Sequence, residues 1–255
     1  MSLSLRKALV AVVGSGSVLA GTLAGGCSSG GGAADASDDV ALGEAGMDVV
    51  VDTKPPKDTA PPDNQPMCPT PGDVSKYTPG PLVQPRPASD ACSPAQVQGY
   101  FDQCRNLQST QMACDAWKAQ NATCTSCIES KKSDMTHGAL VLAGGITFLD
   151  VAGCLALLGD MPCAKAYQDA QECEATACDA LCPVTDFFAP DHSTTLGDWQ
   201  KCSQAAATTV CASYETKVAQ ACVKDAGTAA GVCLSFTNFQ NGYALYAKTF
   251  CSAGG

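Results

Sequence analysis

Seventeen cysteines in 255 residues are the chain's one dense reserve of reactive side chains. Thiol chemistry gives them three uses: redox exchange, soft-metal binding or structural bridging. The run Cys124-Thr125-Ser126-Cys127 has the spacing of a redox pair, whose attacking sulfur needs a helix N-terminus or a neighbouring cation to ionise near neutral pH. No strand-then-helix pattern surrounds it. A thiolate store for Cu(I) would place cysteines three or four residues apart on inward helix faces, whereas the recurring gap here is nine to eleven. Both uses demand free thiols, and they stand as the alternative to bridging.

Other chemistry is sparse. His137 and His192 are the only histidines, each set among turn residues, and surface placement is the expectation for both. No Gly-x-Ser-x-Gly elbow or phosphate-binding loop follows Cys27. Haem attachment through Cys-x-x-Cys-His fails because Ile128 occupies the histidine position. The paired cysteines beside a His-Asp dyad that mark secreted phospholipases are missing. The expectation is a non-enzymatic protein with no catalytic residue, no metal site and no cofactor.

Parity sharpens the bridging reading. Set Cys27 aside and sixteen cysteines remain, which is eight disulfides. After Pro87 there are fifteen: Cys92, Cys104, Cys114, Cys124, Cys127, Cys154, Cys163, Cys173, Cys178, Cys182, Cys202, Cys211, Cys222, Cys233 and Cys251. An odd number cannot close internally, so Cys68 is expected to bridge to the body. The ordered domain is therefore predicted over residues 68–255, with 69–90 lying across its surface. Connectivity stays open, since sixteen cysteines allow about two million pairings by the counting that gives 105 for eight.

Cys27 has a different setting. Arg6 and Lys7 precede an uncharged, apolar and small-residue run over 8–24, the layout of a secretory leader. Too short and too rich in Gly and Ser for a stable span of about 20 apolar residues, it leads into Leu23-Ala24-Gly25-Gly26-Cys27. This sequence resembles the signal of bacterial lipoproteins, the family cleaved by signal peptidase II, with Leu one place further back than usual and Ala24 in its stead. The resemblance implies removal of residues 1–26 and a diacylglycerol thioether plus an amide-linked acyl chain, such as palmitate, on Cys27. Ser28, where an Asp would favour inner-membrane retention, implies the outer membrane. Membrane attachment is thus expected through acylated Cys27, since several chains hold far better than one.

Charge excludes one partner class. The chain carries 15 basic and 25 acidic residues; without Arg6 and Lys7 the balance becomes 13 minus 25, or −12. Nucleic acid is not an expected partner, because phosphate neutralisation needs clustered Lys and Arg, and the one basic pair in the body, Lys131-Lys132, reads as a solvated turn.

Between Ser28 and about Pro87 the sequence has no apolar periodicity. Eleven of the fifteen prolines lie from Pro55 to Pro87, and aspartates recur at Asp35, Asp38, Asp39, Asp48, Asp52, Asp58 and Asp63. Such composition buries too little apolar surface to offset ordering entropy. Residues 27–67 therefore read as lipid anchor and disordered acidic, Pro-rich tether, with Val49-Val50-Val51 an isolated apolar island. Taken as a flexible coil, the roughly sixty residues from Ser28 to Pro87 would reach roughly 40 to 45 Å, further with Pro stiffness and like-charge repulsion.

The body reads as helical. Ser93-Pro94 is a cap followed by Pro at the first helical position, and Val97, Tyr100, Phe101 and Cys104 share one face. A second helix runs from Ser109 and breaks near Asn121; Pro162 opens another through Cys163, Tyr167 and Cys173; an Ala-rich stretch after Thr195 carries Cys211, Tyr214, Val218 and Cys222. The last, from Asn238, sets Phe239, Tyr243, Tyr246 and Phe250 at helical spacing, expected in the core rather than outward for stacking on a sugar. Residues 139–158 are the most apolar part of the body. Asp150 and three glycines argue for buried core over a membrane span, with Asp150 capping a helix that Gly159 stops.

The predicted fold class is all-α: a disulfide-rich domain of six to eight helices. Windows opening at Cys104, Cys154 and Cys202 share a spacing, each with an aromatic residue after the middle cysteine, namely Trp117, Tyr167 and Tyr214. Repeated helical hairpins would produce that spacing, and so would chance among so many cysteines. Eight bridges, at about 2 to 4 kcal/mol each, exceed what an ordinary domain needs, which implies durability outside the cell. The functional expectation is a lipid-anchored cell-envelope protein in surface interaction or structure, its partner an envelope protein or glycan.

Overall fold

The computed structural model describes residues 68–252 except 87, 89 and 224–226. The leader, Cys27 and the acidic segment through residue 67 lie outside the described residues.

Nine helices occur among the described residues: α1 Pro94–Cys104, α2 Gln111–Gln120, α3 Ala122–Ile128, α4 Val151–Leu157, α5 Met161–Cys178, α6 His192–Thr208, α7 Ala212–Ala221, α8 Ala229–Cys233 and α9 Phe239–Cys251. Most begin on a side-chain cap. Ser93 and Gln96 form a reciprocal capping box at α1; Thr110, Asp150, Asp160, Thr228 and Asn238 each accept a backbone N–H from the first turn of their helix. These caps satisfy donors that would otherwise be orphaned. The Ala-rich stretch after Thr195 is helical in two pieces, α6 and α7, parted at Thr209 where the backbone leaves helical values.

The all-α expectation is corrected by five short strands among the described residues: β1 Gln84–Pro85, β2 Glu129–Lys131, β3 Thr136–His137, β4 Leu140–Ala143 and β5 Ile146–Leu149. β4 and β5 form an antiparallel hairpin in which Leu140 faces Leu149 and Val141 faces Phe148. β2 adds to it in parallel, and β1 pairs in parallel with β3. The hairpin lies in the 139–158 stretch, which is buried as expected but half strand. Gly144, at φ 59°, supplies the positive φ for the turn.

That hairpin partitions the core. Leu140 and Leu149 project into one cluster, with Tyr100, Tyr243, Tyr246 and Phe250; Val141, Ile146 and Phe148 project into another, with Trp199 and Leu196. Successive side chains on a strand point to opposite faces, and here both faces are dry. A strand buried on both sides shows no polar alternation, which hides it from period-two reading.

All sixteen described cysteines are bridged. The pairs are Cys68–Cys182, Cys92–Cys124, Cys104–Cys114, Cys127–Cys251, Cys154–Cys233, Cys163–Cys222, Cys173–Cys211 and Cys178–Cys202. Five of them lie in the first cluster and three in the second, so no bridge crosses the hairpin. α5 spans both, with Cys163 in one and Cys173 in the other. The three cysteine windows are not equivalent units. The first closes on itself through Cys104–Cys114, while the second and third clasp each other, Cys163 to Cys222 and Cys173 to Cys211, as two rungs between antiparallel α5 and α7. Their shared spacing is the register of that ladder.

Residues 69–86 run antiparallel along α5. Gly72 N–H donates to the Ala177 carbonyl at 2.9 Å, the Tyr77 hydroxyl to the Asp169 carbonyl at 3.0 Å, and the Gln168 side chain brackets the strap by accepting from Val83 N–H and donating to the Pro81 carbonyl. Cys68 pins its start. Eight disulfides on this scale belong to an oxidising compartment outside the cytoplasm. Among the described residues no helix is long and apolar enough to cross a membrane.

Candidate functional site

The residues singled out from sequence are scattered and mostly structural. Cys124 and Cys127 are buried and belong to different bridges, with Cys92 and Cys251. Phe239, Tyr243, Tyr246 and Phe250 are all buried; the Tyr243 hydroxyl donates to the Val97 carbonyl and Tyr246 to the Cys233 carbonyl. Lys131 ends β2 and Lys132 opens the turn after it; both are exposed to solvent as expected, and Lys132 also pairs with Asp179 at 2.9 Å. His137 is a half-buried strand residue, and burial pushes its imidazole below the usual range. Asp150 caps α4 through Gly153 N–H at 2.8 Å. Its other oxygen is buried without a partner among the described residues, and burial raises its pKa to about 7. Among the described residues no group of three or more His, Cys, Asp or Glu is placed to hold a metal ion.

A different place has the shape of a site. A cleft of about 770 Å³ opens between the loop after α1, the β4–β5 turn, the loop before α6 and α6 itself. Its walls are Phe187, Phe188, Leu196 and Phe239, with Leu107 exposed at the rim. This lies within the size range of small-molecule pockets, about 300 to 1,000 Å³, which are mainly apolar with a few placed polar groups.

The loop carrying the two phenylalanines is held in several ways. Thr185 N–H donates to Thr195 Oγ1 at 3.2 Å, and Ala189 N–H donates to the Asp186 carbonyl at 2.8 Å. His192 Nδ1 lies 2.8 Å from the Thr185 carbonyl; a carbonyl only accepts, so Nδ1 carries the proton. Phe187 and Phe188 meet edge to face at 5.1 Å, and His192 packs edge-on to Phe187 at 5.3 Å. Gly145 is required on the opposite side, because a Cβ there would stand 2.1 Å from the Thr185 oxygen.

Arg105 forms the floor. It is 7% exposed, its guanidinium 5.4 Å over Phe187 and 5.7 Å over Tyr100. Nε donates to the Tyr100 hydroxyl at 3.1 Å, and Nη2 lies 3.4 Å from Glu129 Oε1. That carboxylate oxygen also accepts from the Tyr100 hydroxyl and holds Lys118 Nζ at 2.7 Å. Two cations share one carboxylate. Burial drives the Tyr100 phenol far above its usual range, so it remains a neutral donor. Arg105, Lys118 and Glu129 thus sum to one positive charge, and among the described residues Arg105 is the only permanently charged side chain lining the cleft.

Sequence reasoning missed this assembly. Phe187-Phe188 between Pro183 and Pro190 was the legible signal, two large aromatics in a segment without helical periodicity. Arg105 gave none, since a single arginine at a helix end does not announce what folds over it.

Fold and cleft together define a class: a disulfide-braced helical domain, with a small core sheet, bearing one aromatic, cation-floored cleft among those described. Comparison with known proteins finds no family model that matches the chain, no curated protein that matches its sequence and no solved structure that matches its fold.

Proposed function

We propose that this protein is a non-enzymatic lipoprotein of the cell envelope, anchored through acylated Cys27 and serving in surface interaction or structure. The leader supports the address: Arg6 and Lys7, an uncharged run, then Gly25-Gly26-Cys27. One observation carries the role. Every described cysteine is consumed in a disulfide, and the arrangement suits a domain hardened for exposure, with its sulfurs unavailable as reagents or thiolate ligands. Its membrane partner is the outer membrane; its other partner is a component of the envelope, protein or glycan. The acidic balance of the chain keeps nucleic acid out of that role.

The test is made in cells. A clickable palmitate analogue labels the wild-type chain, Cys27→Ser removes the label and releases the chain from the outer-membrane fraction, and intact mass without reductant falls sixteen hydrogens short of the reduced protein. An unlabelled chain with its leader uncut ends the anchoring reading. A full set of free thiols restores Cu(I) storage or thiol redox chemistry.

A further inference from the structure

We infer that the cleft above Arg105 binds a small amphiphile with a single anionic head, a carboxylate in the first instance, and an apolar body held against Phe187, Phe188, Leu196 and Phe239. The inference deepens the interaction role proposed above and rests on it, but not on lipid attachment.

Three observations converge. Phe187, Phe188, Leu196 and Phe239 line a concavity of about 770 Å³, which suits an apolar body. At its floor the charges do not cancel, because Lys118 at 2.7 Å and Arg105 at 3.4 Å both address one oxygen of Glu129. Arg105 has committed Nε and Nη2, while Nη1 has no hydrogen-bond partner among the described residues. A planar guanidinium with a free edge in a low-dielectric wall favours a carboxylate over a neutral or cationic head, since charge-assisted bonds strengthen there.

Gly197 supplies the third observation independently. It sits inside α6, where glycine costs about 1 kcal/mol relative to alanine. Its φ is not positive, and a Cβ built on it meets nothing within 4 Å. Neither backbone conformation nor packing demands glycine there. The missing side chain leaves the cleft wall open, and any large residue would project into the space.

The experiment uses the full chain carrying Cys27→Ser, to avoid micelle formation, purified with its disulfides intact. Anilinonaphthalene sulfonate, an apolar anion, is the fluorescent probe; decanoate, decanol and decylammonium compete for it with one common tail. Decanoate is expected to displace the probe at about tenfold lower concentration than decanol, with decylammonium weakest. Arg105→Gln is expected to erase the preference for decanoate over decanol. Gly197→Trp is expected to abolish probe binding while far-ultraviolet circular dichroism and the urea midpoint remain those of the wild type. Should Arg105→Gln not fold, Gly197→Trp still decides. Equal displacement by decanoate and decanol in the wild type overturns the inference, as does a probe that fails to bind or a Gly197→Trp titration matching the wild type. Failure here leaves palmitate labelling of Cys27 untouched, and loss of that labelling leaves this titration standing.

Discussion

The guanidinium of Arg105 lies 5.4 Å over the ring of Phe187, joining the end of α1 to a loop beyond α5. Behind that contact, Glu129 holds Arg105 and Lys118 together. Removing the carboxylate with Glu129→Gln leaves a nearly buried cation unmatched, a change that costs about 3 to 5 kcal/mol where pairs are fully buried. Urea unfolding with disulfides intact is expected to show about 2 to 4 kcal/mol lost. Lys118 is more exposed, so Lys118→Gln should cost about 1 kcal/mol or less. Equal effects from the two would refute the asymmetry.

Asp150 makes stability depend on pH in an unusual direction for an acid. Burial lifts its pKa to about 7 from 3.8, against the opposing pull of Gly153 N–H. The folded state therefore keeps a proton that the unfolded chain has released. Stability from this group is full below about pH 4, falls by about 1.4 kcal/mol per pH unit up to about pH 7, and is level beyond. Asp150→Asn can still accept from Gly153 and should lose that slope. Glu172, also raised by burial, acts in the same sense in both proteins, so the difference between the two urea profiles at pH 4 to 8 isolates Asp150. Parallel profiles would remove the assignment.

Bridges that close long loops restrict the unfolded chain most. Cys127 and Cys251 are 124 residues apart, Cys104 and Cys114 only 10. Chain-entropy scaling gives about 5 kcal/mol for the former and about 2.7 for the latter. Replacing each pair by alanines should lower thermal stability in that order, and a reversed order would place the stabilisation in local packing instead.

Peptide mapping under non-reducing conditions reads the connectivity directly. A Cys92 peptide linked to Cys124, and a Cys127 peptide linked to Cys251, are the expected products. A cross-link between Cys124 and Cys127 would contradict the fold and return the redox reading.

Local signals were strongly written. Ser93-Pro94, Asp150 and Asn238 mark helix starts because their side chains bond the first-turn amides whatever lies around them. Phe239, Tyr243, Tyr246 and Phe250 fall on one helical face, which packs inward for the same local reason. The hairpin of β4 and β5 was hidden because Leu140 and Val141 are both buried, on opposite faces. The cysteine spacing misled differently. Equal gaps in two windows arise from repeated units or from two helices bridged rung to rung, and only contact distinguishes Cys163–Cys222 from a partner within its own repeat.

What the sequence determined alone was inventory and local geometry: sixteen cysteines in even number once Cys27 is set aside, caps, an acidic balance and the apolar faces of helices. The tertiary structure alone decided which sulfur meets which, and that Arg105, Glu129, Phe187 and Gly197 gather at one cleft. The reason is physical. Caps and periodicity act within a few residues, where the covalent chain fixes the neighbours, whereas a buried charge left over from three partners exists only after distant segments have packed and excluded water.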